Sequence, residues 1–171
     1  MKHLKEFHQF ATKPLIIDWS VADKLIPNFT KFIVQDIQTA KTWNMMRTSG
    51  KYHADVEPVT KEDYNIMKEV FPKEKDFVTV TFRPVIITIY GNQYGCALMG
   101  FPHAGSLTSE FGERIPKRSG GFGAGINWDY LRDNGVTGHF CLHFRNSIKH
   151  TDKMPDKGAQ QAINYIEKNF N

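Results

Sequence analysis

Cysteine is scarce in this chain. Only Cys96 and Cys141 occur among 171 residues, too few for the disulfide framework of a small secreted domain. Long apolar runs are missing as well. No stretch approaches the roughly 20 apolar residues that cross a bilayer, so no membrane span is expected. The N-terminal MKHLKEFHQFATKPLIIDW has no apolar core of the kind that marks a secretory signal. At face value the chain is cytoplasmic, and action outside the membrane would need another route of release. Charge of one sign is also lacking. Lys and Arg number 22 against 18 Asp and Glu, a net charge of +4 at pH 7. The cations are scattered, and the nearest thing to a basic cluster is Arg114, Lys117 and Arg118 in a glycine-rich stretch. This argues against nucleic acid as a partner while leaving room for a small anionic one. Repeats, low-complexity tracts and linkers are absent, so residues 1–171 read as one domain, long enough to bury its own core.

What is present is aromatic and β-prone. Aromatics make up 13% of the chain and Phe is the commonest of them, which suits a β-rich core. Residues 1–14 are polar and read as an N-terminal extension. Lys31–Asp36 and Thr42–Thr48 alternate as strands, with Phe32, Val34 and Asp36 on one face. YHADVEP runs extended to Pro58. Thr60 with Asp63 three positions on is a capping-box signature, opening a helix of about ten residues that stops at Phe71-Pro72. FVTVTF alternates as a strand, Arg83-Pro84 interrupts it, and VIITIY then pairs with QYGCALM through a turn at Gly91-Asn92. Residues 100–127 form a long glycine-rich loop, and loops of that length inside a compact domain are usually functional or disordered. A helical turn is expected at NWDYLRDN and a strand at GHFCLHF. KGAQQAINYIEKNF reads as an amphipathic helix with Ala159, Ala162, Ile163 and Ile166 inward.

The stretch GHFCLHFRNSIKH carries the chemistry. Strand alternation sets Phe140, Leu142 and Phe144 on a core face and His139, Cys141 and His143 on the other. Three reactive side chains in line admit three readings. The thiol is a nucleophile activated by imidazole; the residues are zinc ligands, three of which suffice for a catalytic site; or the strand is half-buried with satisfied histidines and an inert thiol. Two further elements carry candidates. His103 stands at a strand end in GFPHAG, exposed enough for proton transfer. His53 and Asp55 share a face of an extended segment, where a carboxylate can fix an imidazole's tautomer. Cys96, between Gly95 and Ala97 in a strand, reads as a small buried hydrophobe.

Three runs, TWNMMRTSGKYHADVEPVT, GFPHAG after a hairpin, and GHFCLHFRNSIKH before an Ala/Gln-rich helix, resemble bacterial proteins related to the L,D-transpeptidase catalytic domain. In those proteins an HAD-x-x-P segment, an N-G-x-P-H-G turn and a G-H-x-C-I-H-F-x-x-S-x-x-H block recur in this order. The resemblance covers roughly residues 16–165. It implies a mainly β fold with flanking helices (α+β), of the β-sandwich type, with a cysteine nucleophile at a strand end. It also implies a peptidoglycan stem peptide or similar peptide-like ligand as substrate, and no cofactor. Carried over residue by residue, Cys141 matches the nucleophile, His103 the upstream base and His139 the motif histidine. His53, Asp55, His143 and Arg145 are supporting candidates. The sequence departs from the family pattern at Phe140, where the family has Gly, at His143, where it has Asn or Arg, and at Gly138, where it has Ser or Thr. The 38-residue interval from His103 to Cys141 is also about twice the family's. Two alternatives stand beside this expectation. One is a zinc-dependent hydrolase drawing on His53, Asp55, His103, His139 and His143. The other is a non-enzymatic binding protein of phage or mobile-element origin that keeps the fold.

Overall fold

Alternation dominates the architecture. In the computed structural model, which describes residues 13–71, 73–74, 77–78 and 82–170, helix α1 (Trp19–Leu25) leads into strands β1 (Lys31–Asp36), β2 (Thr42–Ser49) and β3 (Ala54–Pro58). Helix α2 (Lys61–Val70) follows, then β4 (Lys73–Glu74), β5 (Phe77–Val78), β6 (Phe82–Ile89) and β7 (Asn92–Met99). The glycine-rich segment contributes the short pair β8 (Arg114–Ile115) and β9 (Gly125–Ile126), before β10 (Phe140–His143) and the C-terminal helix α3 (Lys157–Asn169). The chain is mainly β with flanking helices, as expected. Its main sheet is one closed antiparallel barrel in the order β1-β2-β3-β10-β7-β6, rather than two facing layers of a sandwich.

Period-two patterning fills the barrel. Phe32 and Val34 of β1 point inward beside Trp43 and Met45 of β2, and Val56 of β3 and Phe140 and Leu142 of β10 join the same cluster. Asp36 is buried too, and the reason lies at the strand end. Its carboxylate accepts both forks of Arg83 (3.0 and 2.9 Å) and the Thr39 backbone N–H and hydroxyl (2.8 Å each), which closes the turn into β2. The capping box forms. Thr60 Oγ1 accepts from the Asp63 N–H at 3.1 Å while Asp63 accepts from the Thr60 N–H at 3.0 Å. On the outside, α3 covers β6 and β7 through Ala159, Ala162, Ile163 and Ile166, the four residues its periodicity puts inward.

Three local expectations are corrected. The hairpin turn is Tyr90-Gly91, one residue early: both have positive φ (49° and 77°), Ile89 pairs with Asn92, and the Asn92 side chain serves the turn from outside by donating to the Tyr90 carbonyl. Arg83-Pro84 does not interrupt β6. Pro84 sits one residue before the pairing with β1 begins at Val85, so its missing N–H costs no bond on that side. NWDYLRDN forms no helical turn. The buried Glu57 carboxylate takes the N–H groups of Tyr130 (2.9 Å) and Leu131 (2.8 Å) and holds the segment extended over the barrel. The remainder of FVTVTF and most of the N-terminal extension lie outside the described residues.

Candidate functional site

The parity of β10 decides what its wall carries. Phe140 and Leu142 face the interior, so Cys141 and His143 face outward, and Cys141 stands opposite Asp55 of β3 in the ladder. The candidate chemistry therefore lies on the outer wall of the barrel, roofed by the segments 100–138 and 147–155. Roofing makes it dry. Cys141 is 5% exposed, His139 4% and His53 3%.

His103 reaches the thiol by backbone pairing. Its N–H and carbonyl exchange 3.0 Å bonds with the carbonyl and N–H of His139, so GFPHAG is stitched to the start of β10. Two glycines permit the approach. A Cβ on Gly138 would lie 2.1 Å from the His103 carbonyl oxygen, and one on Gly105 would lie 2.3 Å from the Gly138 Cα. Thus seated, His103 Nδ1 is 2.9 Å from the Phe101 carbonyl. A carbonyl only accepts, so Nδ1 carries the hydrogen and Nε2 presents a lone pair. That lone pair faces Cys141 Sγ at 3.7 Å.

His139 stands beside this pair, its ring centroid 4.5 Å from that of His103. Its Nε2 is 3.5 Å from Asp55 Oδ1, and His53 Nε2 approaches the same oxygen at 3.5 Å. The other carboxylate oxygen accepts from the Ser49 hydroxyl at 2.8 Å. Burial works against ionisation of Asp55, but His139, His53 and that hydroxyl together hold its pKa below the usual carboxylate range. Burial lowers the pKa of His139 and lowers His143 well below the ordinary value. His103 is pushed down to about 4, by burial first and by its neighbour His139 second. Burial, and then the Asp55 charge, raises the Cys141 thiol well above its ordinary value. At neutral pH the resting pair is thus a thiol and a neutral imidazole, not a thiolate–imidazolium pair.

This arrangement fixes a pH profile. A base with its pKa lowered to about 4 is unprotonated above that value. Any reaction in which His103 accepts the thiol proton should keep its rate as pH falls through 6.5 and lose it only near 4. Simple alkylation by iodoacetamide, which needs the free thiolate, should be slow at neutral pH and still rising past pH 9. Alkylation that reaches a plateau below pH 7 would show an ion pair instead.

The remaining expected residues divide. His143 does not join the thiol's partner; its ring stacks on His53 (centroids 4.4 Å) and meets Phe82 edge-on (5.1 Å). Arg145, which shares the parity of His143, lies beyond the end of β10. Its guanidinium pairs with Glu167 at 2.9 Å, so it anchors α3 instead of serving the site. Cys96 faces the interior with its pKa raised by burial and takes no part. A cleft of about 530 Å³ opens in front of the cluster, lined by His103, His139, Asp55, His150, Arg118 and Trp128 among others. Cys141 is set back from this lining. No family model, curated protein or solved structure matches the chain. The site is therefore read from its own chemistry.

Several contributing residues carry no signal in the sequence. Ser49 reads as a strand breaker, yet it holds the carboxylate. Arg47 is buried and donates to the carbonyls of Ile26 (2.7 Å), Ser49 (3.1 Å) and Gly50 (2.6 Å), fixing the bend that delivers His53 and Asp55. Trp128 comes to the cleft from a loop, where no periodicity points to it, whereas Arg118 belongs to the basic cluster already visible in the sequence.

Proposed function

We propose that this protein is a cysteine-dependent acyl transferase of the L,D-transpeptidase type, acting on a peptide-like donor such as a peptidoglycan stem peptide. The observation that carries this reading is the Cys141 Sγ to His103 Nε2 approach of 3.7 Å, with the tautomer of His103 set by the Phe101 carbonyl. In this scheme His103 Nε2 takes the thiol proton as sulfur adds to the donor carbonyl. Backbone N–H groups in the glycine-rich loop stabilise the oxyanion, since those of Gly138 and His139 are already bonded to Asp129 and the His103 carbonyl. The C–N bond then breaks, the leaving amine takes the proton back from His103, and a thioester remains on Cys141. An acceptor amine attacks the thioester, gives its proton to His103 and releases the thiol. Water in the acceptor's place makes the enzyme an L,D-carboxypeptidase. His139, oriented by Asp55, positions His103.

The cleft suits a donor that carries a free carboxylate. Arg118 lies over the Phe122 ring, 5.7 Å from its centroid, and donates to the carbonyls of Gly123, Ala124 and Ile126. No carboxylate among the described residues pairs with it, so its charge is left for a ligand. Lys51 adds a second cation to the same lining. Arg118→Ala is expected to raise KM for an anionic donor about tenfold with kcat within about twofold, as for loss of one charge-assisted hydrogen bond. An equal loss in kcat would place Arg118 in the chemical step instead.

The test of the reading is intact mass after incubation with a carbapenem, a thiol-acylating β-lactam. The expected result is one adduct per chain, mapped to Cys141. An unmodified protein that still binds a peptide in the cleft would overturn the enzyme reading in favour of a binding protein.

A further inference from the structure

His53 raises a question that the acyl-transfer scheme leaves open. Its Nδ1 is 3.0 Å from the Ile148 carbonyl, which can only accept, so Nδ1 carries the hydrogen. In the neutral ring Nε2 then presents a lone pair. That nitrogen lies 3.5 Å from Asp55 Oδ1, which His139 Nε2 approaches at the same distance, and neither His53 Nε2 nor Oδ1 has a hydrogen-bond partner. Two acceptors facing each other in a dry site are destabilising unless something positive lies between them.

His150 supplies the missing side. The ligand atoms of His53, Asp55 and His150 all lie within 4.8 Å of one another. His150 is exposed and lines the cleft together with Asp55, so an ion has a way in. The contacts behind these groups are those that orient metal ligands: a backbone carbonyl on the far nitrogen of His53, and the Ser49 hydroxyl on the second oxygen of Asp55 at 2.8 Å. We propose that His53, Asp55 and His150 form a binding site for a divalent ion of the zinc class on the cleft wall beside Cys141. Two nitrogens and one carboxylate oxygen, with the remaining position open to the cleft, are a donor set zinc accepts in catalytic centres. Two other groups in the cluster, His53–Cys141–His143 and His103–His139–Cys141, have ligand atoms equally close. Both require deprotonation of the buried thiol. The first is also enclosed, since neither Cys141 nor His143 lines the cleft. The carboxylate of the proposed site brings its negative charge without that step.

The site goes beyond the acyl-transfer reading and does not depend on it. An ion here would add positive charge beside Arg118 and Lys51, giving the cleft a third contact for a carboxylate. The competing account is a second proton on His53, which makes the contact a plain ion pair.

The experiment is calorimetric titration of the chelator-treated full chain with zinc chloride, alongside the absorption spectrum of the cobalt(II)-loaded protein. The expected result is one equivalent bound. His150→Ala, a change at an exposed residue, should weaken binding by well over about tenfold, and Ser49→Ala by about tenfold, as for loss of a group that orients a ligand. Cys141→Ala should leave the affinity unchanged, and the cobalt spectrum should lack a thiolate charge-transfer band. No binding by the wild-type chain overturns the proposal. So does binding that survives His150→Ala but is lost in Cys141→Ala. Carbapenem acylation of the zinc-free chain is read separately, so a failed metal site leaves the thiol reading standing, and a failed thiol reading leaves the metal site standing.

Discussion

Cys141→Ala is expected to abolish thioester formation and to lower turnover of a peptide donor by at least about 10⁴-fold, the scale on which removal of a nucleophile acts in acyl-transfer enzymes. The fold should survive. The side chain lies on the outer wall of the barrel, and its loss removes one buried sulfur from a site that contributes little to the interior cluster. A cost of about 1 kcal/mol in denaturant unfolding is expected. The variant also separates the roles of the two thiols. Cys96 sits inside the barrel and is completely buried, so any carbapenem adduct that persists in Cys141→Ala would have to lie elsewhere, and the thioester route would be ruled out. His103→Ala should lower the acylation rate by on the order of 10²–10⁴-fold, the usual contribution of a general base.

Gly138→Ala should lower both stability and acylation, because the methyl group would enter the contact that seats His103. Gly138 has φ of +94°, and its added Cβ would fall 2.1 Å from the His103 carbonyl oxygen, a backbone atom that cannot swing aside. Left-handed strain costs about 1–3 kcal/mol, and overpacking against fixed neighbours about 1–3 more. The sum, about 2–6 kcal/mol, is a large part of the roughly 5–15 kcal/mol that holds a typical domain together. Relief would come from separating GFPHAG from β10, which breaks the reciprocal 3.0 Å bonds between His103 and His139. Acylation and stability should therefore fall together. Chemical denaturation and the carbapenem mass shift, measured on the same preparation, check this. A variant of wild-type stability that still acylates at the wild-type rate would show that the close approach is not what seats His103.

The parts legible in the sequence are those written in a period. Alternation gave β1, β2 and the two faces of β10; Thr60 and Asp63 gave the start of α2; and the 3.6-residue rhythm gave the four inward residues of α3. Each is a local rule enforced by burial of one face. The illegible parts depend on partners far along the chain. NWDYLRDN has a helix-like composition, but Glu57, more than 70 residues earlier, claims its N–H groups. Arg145 has the parity of a site residue, and only the position of Glu167 on α3 shows that it faces elsewhere. His143 shares the parity of Cys141, yet the ring of His53 draws it away from His103. The resemblance groups His103 and His139 with Cys141, while the sequence links Asp55 to His53 alone, and the approach of Asp55 to His139 is seen only in the structure. Ser49, at the end of β2, and Trp128, in a loop, reach the site through tertiary packing that leaves no periodic trace, and Arg118 shows in the sequence only as part of a basic cluster.

The placement of this chemistry on the barrel's exterior has an evolutionary consequence. A pocket inside a barrel shares its residues with the core, so every change of ligand preference also tests the fold. Here most of the interior cluster comes from the strands and helices, and of the roof segment 100–138 only Val136 joins it. Arg118, Phe122 and Trp128 hang from segments outside the main ladder, and could be exchanged with little disturbance to the staves beneath. A chain built this way can drift toward new ligands by rewriting its roof, while the wall that holds Cys141 stays the same.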